Sequence, residues 1–209
     1  GRPRFVVASA ETLAYAVATG QVDFALGTDT AGSGRVPAGL NNIVGLKPSK
    51  GLISAQGVVP AAQSVDCVSI FAPTVALAVR VLQVAMGHDM KDPYSRPLKL
   101  ANRPLPAAFR FGVPDRLTFF GDSLAQAAFD ESVQRLRDLG GTPVTIDYTP
   151  LAQAAALLYE SALVAERYAS VRSFFDGREQ DVMEPVRGII GGGCGHSAAD
   201  YCEEQTQLR

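Results

Sequence analysis

Short apolar runs alternate along this chain with longer amphipathic stretches, and this alternation limits the possible fold more than any other feature. Strand-length and helix-length segments that follow one another are typical of an α/β protein, in which helices cover a mixed or parallel sheet. The predicted strands span 22–27, 43–46, 110–113 and 144–148, and the predicted helices span 13–19, 74–87, 122–139, 151–175 and 198–208.

The composition indicates a folded protein and argues against several partners. Of the 209 residues, 47% are hydrophobic and 19% are charged, which is typical of globular chains. A formal net charge of -2, with Lys and Arg scattered, provides no basic field for nucleic acid. No apolar run approaches the ~20 residues of a membrane-spanning helix, and no signal peptide stands out, so we expect no membrane partner and a cytoplasmic location.

The cysteines and histidines do not form a metal-binding pattern. Cys67, Cys194 and Cys202 are an odd number without metal-ligand spacing, and His88 and His196 lie near no ligand cluster. We therefore expect free thiols and no metal site.

Small residues surround Ser33 in the segment 27–37, which reads G-T-D-T-A-G-S-G-R-V-P. Such a turn lets a substrate carbonyl approach the backbone, and its N–H groups can converge on an oxyanion. Ser33 is thus a candidate nucleophile, with a plain turn residue as the alternative. The flanking Asp29 and Arg35 have opposite charges and are candidates for an ion pair that braces the turn, with a catalytic role as the alternative.

The sequence disfavours two common kinds of site for this segment. A Ser-His-Asp triad is disfavoured because neither histidine lies near a serine-containing turn. A phosphate-binding loop is disfavoured because the G-x-x-x-x-G-K-[ST] order, in which a lysine reaches the phosphates, is not present.

The residues around Ser33 resemble the signature of the amidase family. The resemblance is carried by T-D-T-A-G-S-G-R-V-P-A at 28–38 and by N-N-I-V-G-L-K-P at 41–48. G-V-V-P at 57–60, S-V-D-C-V-S-I-F at 64–71 and D-P-Y-S-R-P at 92–97 resemble the allophanate hydrolases of that family. The similarity runs from about residue 20 to the end of the chain.

This resemblance implies the amidase-signature fold, a mixed sheet core covered by helices. We expect residues 1–209 to form an incomplete amidase domain, with a signature region at 20–87 and a proline-containing linker at 88–108. Residues 109–209 would then form the substrate side. The resemblance further implies a small-molecule amide substrate, no metal or organic cofactor, and a homodimer.

Amidase-signature enzymes use a serine, a second serine in a cis peptide and a lysine, so they need no histidine. The resemblance makes Ser33 the nucleophile. It makes the backbone N–H groups of Thr30, Ala31 and Gly32 the oxyanion hole.

The relay serine of the family stands 24 positions before the nucleophile, and 33 − 9 = 24 places Ser9 there. The glycine-rich surroundings of the family are replaced by V-A-S-A-E-T at 7–12. A cis non-proline bond, which costs ~3 kcal/mol, depends on such surroundings. Both a relay role and a plain surface role therefore stay open for Ser9.

The lysine of the family lies upstream of both serines, whereas only Arg2 and Arg4 are basic before Ser9. Arginine cannot serve as the base, because it does not lose its proton in proteins. Lys47 and Lys50, the first lysines, are expected to be solvated surface residues. We therefore expect that the chain as given lacks its base.

Tyr159 and Arg167 resemble the tyrosine and arginine with which allophanate hydrolases hold their substrate. On the single predicted helix 151–175, residues eight apart lie about 80° from each other. A guanidinium matches a carboxylate, and a phenol can bond the urea-like end. The alternative is an exposed arginine and a half-buried tyrosine on an amphipathic helix.

The resemblance implies hydrolysis of allophanate to ammonia and carbon dioxide through an acyl-serine. Two alternatives remain, a catalytically silent amidase-fold fragment and an amidase that acts on another small amide.

Overall fold

The computed structural model describes residues 8–101 and 103–208, without the side chain of Glu160. Arg2 and Arg4 lie outside the described residues. The chain forms two compact units. One contains the described residues up to Lys99 and from Leu157 onwards, and the other is Leu100–Ala156.

The strands and helices follow one another in a mixed order. The strands are β1 Ala25–Asp29, β2 Val44–Leu46, β3 Cys67–Ala72, β4 Phe109–Pro114 and β5 Gly141–Ile146. The helices are α1 Ala10–Ala18, α2 Arg35–Leu40, α3 Val75–Ala85, α4 Ser123–Asp138, α5 Thr149–Glu160, α6 Ala165–Phe175, α7 Val186–Gly192 and α8 Ala198–Gln207. Short 3-10 turns lie at Ala162–Val164, Glu179–Asp181 and Gly193–Gly195.

The sheet of the first unit is antiparallel, with strand order β1-β3-β2. Its register places Asp29, the last residue of β1, opposite Cys67, the first residue of β3. Because antiparallel partners run in opposite directions, Thr30 and Asp66 lie next to each other at the same end of the sheet. The candidate site is built at this end.

Neighbouring residues of β3 supply the cores on the two sides of this sheet, since side chains alternate along a strand. Phe71 is fully buried in a cluster with Ala14 and Val17 of α1. Ile70 is fully buried in a second cluster with Ala78 and Leu82 of α3. The strand is thus covered on both sides, as its continuous apolar run requires.

The second unit contains a parallel pair, β4 and β5, with Phe109 opposite Gly141. A parallel pair needs a crossover, and α4 provides it and packs against β5. Asp122 caps α4 by accepting the N–H groups of Leu124 and Ala125 at 3.0 and 2.9 Å.

The α/β class is confirmed, but the strands form two sheets, one antiparallel and one parallel. The predicted strand 22–27 is wrong at its start, because β1 begins at Ala25. The N–H groups of Gln21 and Val22 instead bond to the carbonyl of Ala16 at 2.8 and 3.4 Å and complete the end of α1. The strand β3 was not predicted. The division into 20–87, 88–108 and 109–209 stays a prediction.

The prediction of a single helix at 151–175 is wrong, because the helix is interrupted at Ser161, between α5 and α6. Ser161 has extended backbone angles, φ -132 and ψ 178. Its hydroxyl donates to the carbonyl of Leu157 and accepts the N–H of Leu163 at 3.2 Å. A serine side chain that bonds the backbone on both sides competes with helical bonds and favours a break.

None of the described helices is both long enough and apolar enough to cross a membrane. Within residues 8–101 and 103–208, no group of three or more His, Cys, Asp or Glu side chains is arranged to hold a metal. The three cysteines are free, with Cys67 buried and the other two exposed.

Candidate functional site

Ser33 lies in the turn that joins β1 to α2, and its side chain is exposed. The glycines on either side, Gly32 and Gly34, are buried. Gly32 has a φ of 145°, in a region that L side chains rarely adopt. The local sequence therefore holds an accessible hydroxyl on a turn that needs glycine.

Gly34 is required for packing as well. A Cβ at this position would lie only 2.1 Å from Ser69 Oγ and 2.8 Å from Ser69 Cβ. Ser69 is fully buried on β3, and its hydroxyl donates to the carbonyl of Gly27 at 2.9 Å. The turn therefore packs directly on the sheet, with no room for a side chain after Ser33.

The carboxylate of Asp29 holds the other end of the turn. Asp29 is fully buried, and its Oδ2 accepts both the backbone N–H and the Nε–H of Arg35 at 3.2 and 3.0 Å. Arg35 Nη2 donates to Oδ1 at 3.1 Å, and Lys47 Nζ lies 3.6 Å from the same atom. The predicted ion pair of Asp29 and Arg35 is confirmed. It closes the turn around Ser33.

Opposing effects act on the pKa of Asp29. Burial is the largest and raises the pKa, since it disfavours the charged carboxylate. The hydrogen bonds from Arg35 and the charges of Arg35 and Lys47 together outweigh burial, so that the pKa of Asp29 lies below its ordinary value. Asp29 is therefore a permanent negative charge beneath the turn at neutral pH.

Lys47 and Lys50 are half-buried, so the prediction that both are solvated surface residues is wrong. Lys47 Nζ donates to the carbonyl of Thr30 at 3.0 Å, besides its contact with Asp29. Lys50 Nζ donates to the carbonyl of Asp66 at 3.3 Å and lies 4.0 Å from the ring centre of Tyr94. Burial lowers the pKa of Lys50. Lys47 therefore supports the backbone of the turn, and Lys50 supports the loop that precedes β3.

Asp66 is a second buried carboxylate at this end of the sheet, and its role was not predicted. Its Oδ1 accepts the hydroxyl of Thr30, and its Oδ2 accepts the N–H groups of Ala61 and Ala62 at 2.8 and 3.1 Å. Thr30 is thereby fixed by its side chain through Asp66 and by its carbonyl through Lys47. A cavity of about 180 Å³, lined in part by Lys50, Asp66 and Tyr94, borders this network.

Ser9 is the N-cap of α1. Its exposed hydroxyl accepts the N–H of Thr12 at 3.2 Å and lies 3.1 Å from the hydroxyl of Thr12. Serine is among the best N-cap residues, so this placement follows from the local sequence. The relay role of Ser9 stays a prediction.

Tyr159 and Arg167 are brought together although they lie on different helices. Tyr159 is exposed near the end of α5, and the half-buried Arg167 lies in the first turns of α6. The guanidinium carbon of Arg167 is 5.3 Å from the centre of the Tyr159 ring, within cation–π range. The two side chains are therefore adjacent although the helix is interrupted at Ser161, and their role in substrate binding stays a prediction.

The predicted site residues thus form two groups, with Ser9 in its own capping position. Thr30, Ala31, Gly32 and Ser33 form one continuous turn, anchored by buried carboxylates. Tyr159 and Arg167 form a pair of an aromatic ring and a cation. An exposed hydroxyl on a braced turn is suited to attack a carbonyl carbon, and a half-buried guanidinium is suited to bind a carboxylate.

Residues 12–199 match the family model described as Amidase. Urea amidolyase of Lachancea kluyveri is 44% identical over 200 residues, which are 93% of this chain and 11% of that protein. Urea amidolyase of Saccharomyces cerevisiae is 43% identical over 193 residues, which are 90% of this chain and 10% of that protein.

A solved structure of Kluyveromyces lactis allophanate hydrolase superposes with a TM-score of 0.87 at 39% identity, covering 93% of this chain and 32% of that one. The chain therefore spans about a third of the length of this solved relative and about a tenth of the urea amidolyases.

Proposed function

The chain belongs to the amidase family, and from this we propose that it hydrolyses a small amide, allophanate, through an acyl-enzyme on Ser33. The observation that carries the proposal is the braced turn. The hydroxyl of Ser33 is exposed, while Asp66 holds Thr30 before it and Asp29 holds Arg35 after it.

In this proposal the oxygen of Ser33 attacks the amide carbonyl carbon. The N–H groups of Thr30, Ala31 and Gly32 stabilise the negative charge that develops on the carbonyl oxygen. Ammonia leaves with the proton that came from the Ser33 hydroxyl, and water then hydrolyses the acyl-serine to release N-carboxycarbamate. This product loses carbon dioxide to give carbamate, which breaks down to a second ammonia and a second carbon dioxide. The hydroxyl proton of Ser33 needs an acceptor, and by the family resemblance Ser9 would relay it.

The substrate assignment is supported by the names of the relatives and by the Tyr159–Arg167 pair. Two of the matched proteins are named urea amidolyase and allophanate hydrolase. The Arg167 guanidinium would bind the allophanate carboxylate in a bidentate manner, and the Tyr159 hydroxyl would bond the urea-like end. The stacked ring would hold the guanidinium in one orientation.

The direct experiment is to incubate the purified chain with allophanate and to follow ammonia. We expect Ser33→Ala to reduce release by about 10³-fold or more, as for loss of a covalent nucleophile. Ser49→Ala changes another exposed serine and serves as the matched control. Ammonia release that survives Ser33→Ala would remove Ser33 from the mechanism.

A second candidate is a catalytically silent amidase fold. It is favoured by the capping position of Ser9 and by the engagement of Lys47 with Asp29 and Thr30. A fluorophosphonate probe separates the two, because labelling requires an activated serine. Labelling of Ser33 supports hydrolysis, and its absence in a folded chain supports the silent fold.

A third candidate keeps the chemistry and changes the substrate to another small amide. Comparing ammonia release from allophanate and from neutral amides decides this point, since only allophanate offers Arg167 a carboxylate. A homodimer also stays a prediction, which sedimentation would test.

A further inference from the structure

The carboxylate of Glu166 joins three separate segments of the first unit. Glu166 is half-buried in the first turn of α6. Its Oε2 accepts the backbone N–H of Ser64 at 2.9 Å, and its Oε1 accepts the hydroxyl of Tyr201, on α8, at 2.7 Å. Gln205 Nε2 donates to the Tyr201 hydroxyl at 3.1 Å. Hydrogen bonds to a charged acceptor are about twice as strong as neutral ones, so this junction is firm.

A second contact holds the same loop on the same helix. Ser170 lies four residues after Glu166, on the same face of α6. Its hydroxyl lies 2.9 Å from the carbonyl oxygen of Pro60 and 2.8 Å from that of Arg167, so its one proton is shared between the two acceptors. The helix therefore holds the loop 60–66 at Pro60 and again at Ser64.

The loop is connected in turn to the segment that carries Ser33. Asp66, two residues after Ser64, accepts the hydroxyl of Thr30 and so orients the start of the turn. Bonds from Ala61 and Ala62 to the other oxygen of Asp66 make the loop one closed unit. Glu166 is thus connected to Thr30 by its hydrogen bond to Ser64, by the two backbone steps from Ser64 to Asp66, and by the hydrogen bond between Asp66 and Thr30.

The pKa of Tyr201 reflects its burial and its contact with Glu166. Burial raises the pKa of Tyr201, and the hydrogen bond to Glu166 together with its negative charge raises it further, to about 12. Tyr201 therefore remains a donor throughout the neutral range. Glu166 and Tyr201 also line a cavity of about 310 Å³ with Tyr94, so the junction can be reached by solvent.

We propose that Glu166 is a positioning residue, which fixes α6 and its next residue Arg167 against the loop that orients Thr30. This proposal rests on the proposed function, which assigns Arg167 to substrate binding and Thr30 to the oxyanion hole. Glu166 touches neither the substrate nor the reacting atoms in this role.

The test compares Glu166→Gln and Tyr201→Phe with the control Glu203→Gln, which removes an exposed carboxylate of α8. Amide hydrogen exchange at 61–66 and at 30–33 should be about tenfold faster in Glu166→Gln, and about threefold faster in Tyr201→Phe. The control should match the wild type. In ammonia release, KM for allophanate should rise about tenfold in Glu166→Gln because Arg167 is less well held, and kcat should fall by about three- to tenfold because Thr30 is less well oriented.

Exchange at 30–33 that stays at the wild-type rate in a folded Glu166→Gln chain would overturn the proposal. A Glu166→Gln chain that is less stable than the wild type but has an unchanged KM would also overturn the proposal. If Glu166→Gln does not fold, Tyr201→Phe decides by the same two measurements. An inactive wild-type chain would contradict the proposed function, and the exchange comparison would still decide whether Glu166 couples α6 to the turn.

Discussion

The hydroxyl of Thr30 donates a hydrogen bond to the buried carboxylate of Asp66, 36 residues further along the chain. The contact is possible because β1 ends and β3 begins at the same end of one antiparallel sheet. It connects the proposed oxyanion segment to the loop that α6 holds.

Asp66→Asn should loosen this connection. The amide can keep the N–H groups of Ala61 and Ala62 on its oxygen only by turning its NH2 towards Thr30, so the Thr30 hydroxyl loses its charged acceptor and must accept instead. We expect the free energy of unfolding to fall by about 1–3 kcal/mol. We also expect labelling of Ser33 by a fluorophosphonate to slow by about tenfold, because the segment proposed to stabilise the oxyanion is less well oriented. Urea unfolding and probe kinetics measure the two effects, with the exposed Asp23→Asn as the control.

Asp29→Asn should change the pH dependence of stability. The pKa of Asp29 in the folded chain lies below its unfolded value, so its contribution is present above the unfolded pKa of about 3.9. It is lost as the pH falls through the lower folded pKa. The free energy of unfolding, measured at several pH values, should be higher for the wild type than for Asp29→Asn at pH 7, and the difference should shrink below pH ~4. A difference that grows in acid would contradict the assignment.

Gly34→Ala should be destabilising, because the added Cβ collides with Ser69, which is fully buried. Overpacking of this kind costs about 1–3 kcal/mol. Gly39→Ala is the matched control, since nothing lies within 4 Å of a Cβ there. It should be neutral or slightly stabilising, as Ala is favoured over Gly in a helix. Thermal unfolding of both variants is sufficient, and equal behaviour of the two would refute the predicted collision.

Arg167→Lys should weaken allophanate binding. Lysine keeps the charge but loses the planar fork, so KM should rise by about tenfold with a smaller change in kcat. Tyr159→Leu should have a weaker effect of the same kind, because it removes the ring against which the guanidinium packs. Arg178, which lies 5.7 Å from the ring of Phe174, provides a control Arg178→Lys in a similar contact. Unchanged KM in Arg167→Lys would place the substrate elsewhere.

The parts of the site that could be predicted from the sequence are formed by residues that lie close together along the chain. Ser33, its glycines and the Asp29–Arg35 pair lie within a few residues, so composition and spacing indicate them directly. The network around Asp66 and Glu166 could not be predicted in this way. The Thr30–Asp66 contact depends on strand register, and the Glu166–Ser64 contact joins residues 102 apart.

The errors in the fold have local causes. The helical pattern continues across Ser161, and only the two bonds of its hydroxyl to the backbone decide the break. Val22 belongs to an apolar run, but its N–H completes the end of α1. β3 is covered on both sides, so its apolar run lacks the alternation by which an exposed strand is recognised.

The central claim, that Ser33 can be acylated, is tested most directly by treating the chain with a fluorophosphonate and mapping the adduct by mass spectrometry. We predict one adduct per chain, located on Ser33, absent in Ser33→Ala and retained in Ser49→Ala. A folded chain that remains unmodified, or an adduct on another serine, would contradict the claim.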